Sequence, residues 1–453
     1  MNNDPSNLSR RDFLSKSLAG ASAGLVIGAP NILRAANQAN GSDAIHVAIV
    51  GFGKQGREAL FAAMKNIPGL RFQAVCDIWD YNRENAVKAV DAHQGSKPNA
   101  YVDIDDMLAK EKGLDVAIIA TPDFWHSPHT VKCLEAGLHV YCEKMMSNTI
   151  EGARAMVKAM EKSGKLCQIG HQRRSNPRYL FTYNRLINGK KICGKITNVN
   201  AQWNRSLSSS NDIGYNKKLT IDQAVLTKYG YKDMLQFMNW RTYRDLSGGP
   251  ISDLGAHQID IFNWFLGAVP KRVYATGGNA HFKDREHFDN VMCLFDYDTP
   301  EGEVRAFYQV LTTTSYGAGF VETFMGTQAS IQISEIPASS AIYREGGDHV
   351  PDWGDLVNKG YLVRRPAPPK PEVIEGAVKA YESAPPDVYD LPGSFAKTAH
   401  QPHLENFFDA VRGKGKLNCD ARHAFESEAA IFWVNPSALE RRPIDLTSEH
   451  LSV

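Results

Sequence analysis

Residues 45–77 carry the pattern that most narrows what this chain can fold into. A short apolar run, Ile45-His46-Val47-Ala48-Ile49-Val50, enters Gly51-Phe52-Gly53-Lys54-Gln55-Gly56, and Ala59, Leu60, Ala63 and Met64 follow at helical spacing. Glycines spaced in this way between a strand and a helix predict a turn that cradles a dinucleotide phosphate. Gly51 permits the tight turn, Gly53 lets backbone approach a pyrophosphate, and Gly56 lets the helix pack on the strand. The amides that open the helix then face the phosphate charge. A second apolar run, residues 72–76, ends at Asp77. The step from Gly56 to Asp77 matches the ~20 residues that separate such a turn from the acid that binds a ribose 2′-hydroxyl. A carboxylate there repels a 2′-phosphate, so NAD is favoured over NADP. Arg83 keeps NADP open, and Asp80 is a second candidate for the ribose contact.

Strand and helix patterns keep alternating up to about residue 165. Residues 115–120 run into Thr121-Pro122-Asp123-Phe124-Trp125-His126, a helix is expected over 128–136, and the strand 139–142 ends in Glu143-Lys144. Both motifs follow strand carboxyl ends, where open α/β sheets bind their ligands. Beyond a helix at 177–187 the pattern changes. Period-two strands at 197–203, 273–276, 291–295, 304–311, 320–325 and 331–333 follow one another without helices of their own, which predicts a largely antiparallel sheet. The expected fold is α/β, with an N-terminal Rossmann dinucleotide domain over 43–165 and a C-terminal α+β domain over 166–453. Two segments read as insertions. One is 205–236, with its serine run. The other is 335–398, where Pro366, Pro368, Pro369, Pro371, Pro385, Pro386 and Pro392 favour an extended arm or a surface loop.

Charge and cysteine content remove other classes. Lys and Arg number 51 against 50 Asp and Glu, with no dense basic stripe, so nucleic acid is not an expected partner. The seven cysteines include no Cys-x-x-Cys pair and read as small buried hydrophobes, and no zinc-ligand spacing occurs among the histidines, so no metal is expected. No apolar run past residue 40 is long enough to span a bilayer. The first 36 residues read as an address. Ser9-Arg10-Arg11-Asp12-Phe13-Leu14, then a mild apolar stretch over 18–32, resembles a twin-arginine export signal with removal near Ala36. This implies a periplasmic or otherwise exported protein, with the export machinery as a partner.

Taken in order, the motifs resemble the Gfo/Idh/MocA oxidoreductase family. They are the glycine turn, Thr121-Pro122 with His126, Ala136-Gly137-Leu138-His139-Val140-Tyr141-Cys142-Glu143-Lys144, Gly170-His171-Gln172-Arg173-Arg174, and Gly248-Gly249-Pro250-Ile251-Ser252-Asp253-Leu254-Gly255-Ala256-His257-Gln258-Ile259-Asp260. A helical segment within 401–436 resembles the family's returning C-terminal helices. The resemblance implies NAD as cofactor and a homo-oligomer formed through the antiparallel sheet. It also implies cofactor contacts from Gly51, Phe52, Gly53, Lys54, Gln55, Gly56, Asp77, Thr121, Pro122, Asp123, Phe124, Trp125, His126, Glu143, Lys144 and Gln172. Arg173 then lies where relatives contact nicotinamide or sugar. Trp240, Arg241 and Tyr243 precede the Asp253 motif and are candidates to stack on and hydrogen-bond a pyranose.

Lys144, Asp253 and His257 form the expected catalytic group. Asp253 and His257 are one helical turn apart, so a carboxylate beside the imidazole is expected to fix its tautomer and raise its basicity. By the resemblance, His257 takes the substrate hydroxyl proton and also contacts substrate, while Lys144 hydrogen-bonds that hydroxyl. Asp260 is expected only to support the helix. One position departs from the family. Met145 follows Lys144 where relatives carry a proline whose peptide is often cis, and a cis bond before Met costs about 2.5–4 kcal/mol, so a different local backbone is expected.

These features imply an exported NAD-dependent oxidoreductase acting on a secondary hydroxyl of a sugar, glycoside or polyol, with its cofactor retained. A second reading is a redox glycoside hydrolase, which needs a further base for the C2 proton, from a tyrosine or His171. A third is a non-catalytic sugar- or nucleotide-binding protein.

Overall fold

The computed structural model describes residues 44–317, 319–346, 352–366, 387–392 and 397–453. The twin-arginine segment, and Pro368, Pro369, Pro371, Pro385 and Pro386, lie outside these residues.

Strand β1 (Ile45–Val50) is apolar on both faces, and that composition places it at the centre of a parallel sheet. It pairs with β2 (Leu70–Cys76) on one side and β4 (Val116–Ile119) on the other. With β3 (Asn99–Tyr101), β5 (His139–Cys142) and β6 (Cys167–Ile169) it forms a six-stranded sheet in the order β3-β2-β1-β4-β5-β6. All neighbouring strands run parallel. This is a Rossmann sheet, and its order reverses between β1 and β4, where such sheets bind ligands. Strand β6 carries the sheet past the boundary expected at residue 165. Helices flank the strands. Those at Ile104–Lys110 and Ile150–Ser163 begin at Asp103 and Thr149, whose side chains accept from the amides of Asp105 and Gly152.

The second domain is built on a ten-stranded sheet. Its strands are β7 (Ile196–Asn204), β8 (Pro270–Gly278), β9 (Asn290–Thr299), β10 (Gly302–Leu311), β11 (Phe320–Gly326), β12 (Ala329–Ile333), β13 (Ala341–Arg344), β14 (Val363–Arg364), β15 (Asp387–Asp390) and β16 (Ile444–Asp445). The order is β14-β15-β13-β12-β11-β7-β10-β9-β8-β16, antiparallel except between β7 and β10. One face buries Val199, Phe295, Tyr297 and Phe324 against the helix Ala256–Leu266. The other exposes Tyr274, Met292 and Leu294, with Tyr274 and Phe307 both in register with Leu294.

Both insertions are ordered where they are described. The described part of 335–398 is not an extended arm: β13, β14, β15 and the helix Trp353–Asn358 continue one edge of the sheet. Unpaired backbone at the edge of β12 recruits these short strands despite the proline content. Residues 213–246 fold across the nucleotide domain. Tyr229, Tyr231, Met234 and Trp240 form an apolar cluster there with Ile78, Trp79, Phe124 and Trp125.

The chain finally returns to its first domain. The helix Gln401–Val411 inserts Leu404, Phe407 and Phe408 beside Ile49, Phe61 and Phe72. The helix Ala421–Glu428 sets Ala424 and Phe425 against the β4–β6 side. Among the described residues no helix is long and apolar enough to cross a membrane, and the seven cysteines are buried and unbridged.

Candidate active site

The glycine turn has the geometry its spacing predicts. Gly51 takes φ +90°, and a Cβ there would lie 2.6 Å from the Ala120 carbonyl oxygen. A Cβ on Gly56 would lie 2.2 Å from the Gly51 carbonyl oxygen, whereas one on Gly53 would meet nothing within 4 Å. Gly51 and Gly56 are therefore required by protein packing, and Gly53 borders open space. That space beside a helix start suits a dinucleotide phosphate. The Phe52 ring packs in the core 5.6 Å from Phe61, so only its backbone faces the turn. Lys54 is exposed, and Gln55 Nε2 lies 3.1 Å from His400 Nε2.

Asp77 follows β2 and accepts from the Phe52 amide at 2.8 Å, the Trp79 amide at 2.9 Å and Asn82 at 3.1 Å. Burial raises its carboxyl, and these donors pull it back. Arg83 is tied to the Asp80 carboxylate and donates to the Asp77 carbonyl at 2.7 Å. Its guanidinium is thus turned to protein acceptors, which agrees with NAD rather than NADP.

The two domains meet at Lys144. Its Nζ donates to the Asp253 carbonyl and lies 3.7 Å from Asp253 Oδ1. Arg241 Nε is 3.1 Å from the same oxygen, and Arg205 lies 3.8 Å from Asp253 Oδ2. Burial alone would raise Asp253, but Arg241, Lys144 and Arg205 hold its carboxyl well below the usual range. Asp253 does not pair with His257, contrary to the helical-spacing expectation. Three cations reach the carboxylate from other parts of the chain, and they bind it better than a neutral ring.

His257 is buried, with Nδ1 lacking a partner among the described residues and its ring 5.5 Å from Trp203. Burial, then the charges of Lys144 and Arg173, push its imidazole well below the ordinary histidine range. The expected rise in basicity is reversed: the ring is a weaker base than a free histidine and stays neutral at pH 7. Asp123, at the start of the helix Asp123–Glu135, is pushed up to about 7 by burial, with Arg241 and Lys144 opposing and Asp253 adding to the rise.

The backbone around Lys144 also differs from expectation: the Lys144–Met145 peptide is cis with methionine in place of proline. The Met145 carbonyl lies 2.6 Å from His126 Nδ1, and the Thr121 carbonyl lies 2.6 Å from His126 Nε2. His126 thus ties the carboxyl ends of β4 and β5 together. Glu143 is buried, and Thr121 and Pro122 lie at the rim after β4.

Several expected contacts are spent within the protein. Arg173 is only 1% exposed and pairs with Glu322 and, at 3.1 Å, with Glu335, while its Nη2 is buried without a partner among the described residues. Gln172 reaches the same Glu335 at 3.4 Å, while its Oε1 is buried without a partner among the described residues. Trp240 lies in the apolar cluster, with the Arg241 guanidinium 4.1 Å from its ring centroid. Trp125 is held in the same cluster and donates Nε1 to the Tyr229 carbonyl at 3.1 Å. Tyr243 borders the cluster and is half-buried. His171 is sealed with Glu428 at 2.8 Å, which removes it as a base for the C2 proton. Sequence reasoning missed Arg205, Glu322 and Glu428, because no local motif marks them.

The glycine turn after β1, Lys144 after β5 and His257 of the second domain are the elements of the candidate site. Residues 45–171 match the family model described as oxidoreductase family, NAD-binding Rossmann fold, and 213–446 match the same family's C-terminal alpha/beta domain. The chain belongs to the Gfo/Idh/MocA oxidoreductase family. It is similar to scyllo-inositol 2-dehydrogenase (NAD(+)) of Bacillus subtilis, 24% identical over 327 residues, covering 70% of this chain and 83% of that protein. A 2,7-anhydro-N-acetylneuraminate hydratase of Mediterraneibacter gnavus is 24% identical over 55% of this chain and 56% of its own length. A glycosyl hydrolase family 109 protein of Shewanella baltica is 29% identical over 36% of this chain and 39% of its own length. Of other curated relatives the chain spans about half the length: 44% of a 4-carboxy-2-hydroxymuconate-6-semialdehyde dehydrogenase of Sphingobium sp. and 56% of the hydratase. The solved WlbA dehydrogenase of Bordetella pertussis, in complex with NADH and UDP-GlcNAcA, shares the fold with a TM-score of 0.62 at 18% identity, covering 89% of this chain and 99% of that one.

Proposed function

We propose that this protein is an exported NAD-dependent oxidoreductase that oxidises a secondary hydroxyl of a sugar, glycoside or polyol. The observation that carries this reading is the meeting of Lys144 from the nucleotide domain with the Asp253–His257 segment of the second domain. NAD, when bound, supplies the hydride acceptor. The Gly51–Gly56 turn and Asp77 would hold its pyrophosphate and ribose. His257, kept neutral by burial and Lys144, takes the hydroxyl proton. Lys144 donates to that hydroxyl and stabilises the negative charge that develops on its oxygen. Asp253 holds Lys144 in place and keeps its own charge. The twin-arginine signal implies that the protein leaves the cytoplasm folded, with cofactor already inside. Residues 213–246 support retention. They bridge the loops after β2 and β4, and Lys228 is anchored on Asp103 at 2.8 Å.

The likeness to glycosyl hydrolase family 109 and to the hydratase supports a second reading. Oxidation at C3 acidifies the C2 proton, the aglycone is eliminated, water adds, and the hydride returns to C3. Protein purified from the exported fraction is given a nitrophenyl glycoside with no added NAD. Release of nitrophenol identifies the hydrolase. Reduction of the bound nicotinamide that persists until a keto-sugar is added identifies the oxidoreductase. If neither occurs and denaturation releases no nicotinamide, retention and turnover are both refuted.

A further inference from the structure

The loop that carries Lys144 is held from outside its own domain. Glu428, the last residue of the helix Ala421–Glu428, is fully buried. Its Oε2 accepts from the Met146 amide at 2.8 Å, and its Oε1 lies 2.8 Å from His171 Nε2. On its other side, His171 Nδ1 faces Asp260 Oδ2 at 3.8 Å, too far for a hydrogen bond and with neither atom otherwise partnered among the described residues; Asp260 stands on the helix Ala256–Leu266, which also carries His257. Asp260 is fixed in turn by Arg174 at 2.7 Å. A buried carboxylate is strongly stabilised by such donors, and removing it leaves an amide and an imidazole unpaired.

From this we infer that Glu428 is a positioning residue: through the Met146 amide and His171 it sets the Lys144 loop against the helix bearing His257. Lys144, Met145 and Met146 are then gripped at three successive points, by Asp253, His126 and Glu428. Asp253 belongs to the second domain, His126 to the nucleotide domain and Glu428 to the returning C-terminal helix. Glu428 reaches the Lys144 loop directly, and its partner His171 faces Asp260 of the His257 helix at 3.8 Å. Asp260, expected only to support its helix, is the far end of this link.

The inference rests on reading Lys144 as the group that meets the substrate hydroxyl, so the test has an arm that needs no turnover. In the full-length protein, Glu428→Ala is compared with Glu428→Gln, which keeps an oxygen for the Met146 amide. Lysine labelling by acetic anhydride is followed by mass spectrometry, with exposed Lys158 and Lys162 as references. Glu428→Ala raises Lys144 labelling several-fold and leaves both references unchanged, and Glu428→Gln stays near wild type. In turnover assays kcat falls by about tenfold or more for Glu428→Ala with KM little changed, since small misplacements of catalytic groups carry losses of that order. That loss disappears when Lys144→Ala is already present. Unchanged Lys144 labelling, a uniform rise at every lysine, or Gln behaving like Ala would each overturn the inference. Should the alanine variant fail to fold, Glu428→Asp, one methylene too short to reach both partners, carries the same expectations. A wild-type protein without redox turnover removes the functional reading of Lys144 and leaves the labelling contrast standing.

Discussion

Replacing Lys144 with methionine separates a catalytic role from a structural one. Methionine keeps the length of the buried stem and deletes the charge. Breaking a buried ion pair usually destabilises by about 3–5 kcal/mol, because the remaining partner is left unpaired. Asp253 is not left so. Arg241 at 3.1 Å and Arg205 at 3.8 Å still face its carboxylate. The remaining loss is the charged hydrogen bond to the Asp253 carbonyl, worth about 1.5–3 kcal/mol. The thermal midpoint should therefore fall by only a few degrees. Turnover should fall about 10²–10³-fold, or ~2.7–4 kcal/mol, the effect of deleting one donor to a developing oxyanion. A second signature accompanies it. Lys144 is the leading charge that depresses His257, so its removal raises the imidazole. The acid limb of the pH–rate profile then moves to higher pH. The assay is steady-state reduction of nicotinamide with a hydroxyl substrate from a sugar and polyol panel, beside calorimetric melting. Turnover within tenfold of wild type, or a melting loss large enough to explain the inactivity, would refute the reasoning.

Asp123→Asn tests a buried carboxyl by its pH dependence. Asp123 is pushed up to about 7 when folded, so its contribution to stability is present at low pH and lost as pH rises through about 7. The asparagine has no such loss, so its melting temperature relative to wild type should improve from about pH 5 to pH 8; a flat difference refutes the assignment. Gly56→Ala drives a methyl to 2.2 Å from the Gly51 carbonyl oxygen, so nicotinamide recovered from purified protein should drop sharply, with about 1–3 kcal/mol of stability lost by overpacking. Leu294 is 49% exposed on the sheet's open face, so Leu294→Arg should lower the mass seen by light scattering with little change in melting, and an unchanged mass would exclude that face as the subunit contact.

Much of the fold was legible because it is written locally. The glycine turn depends on residues within a few positions of one another, and the clash that a Cβ on Gly56 would make with the Gly51 carbonyl follows from it. Period-two patterning located β7 to β12 for the same reason. The site was less legible, because its pairings are decided at long range. Spacing placed Asp253 near His257, but nothing near either residue announces that Lys144, Arg205 and Arg241 will converge on the carboxylate. Arg173 stands in a motif of site residues, and only the distant Glu322 and Glu335 show that its charge is spent inside the second domain. The proline-rich segment was misread in part, since composition does not report an open sheet edge that can recruit short strands.

The return of the C-terminal helices sets a timetable for synthesis. Leu404, Phe407, Phe408, Ala424 and Phe425 complete the two apolar cores that sandwich the first sheet. A nascent chain that has emerged only through the nucleotide-binding half lacks the side chains that close those cores. The ligand cradle at the amino end therefore matures only when nearly the whole polypeptide has left the ribosome. A prematurely terminated product would lack these five side chains and be left with open cores rather than a working half.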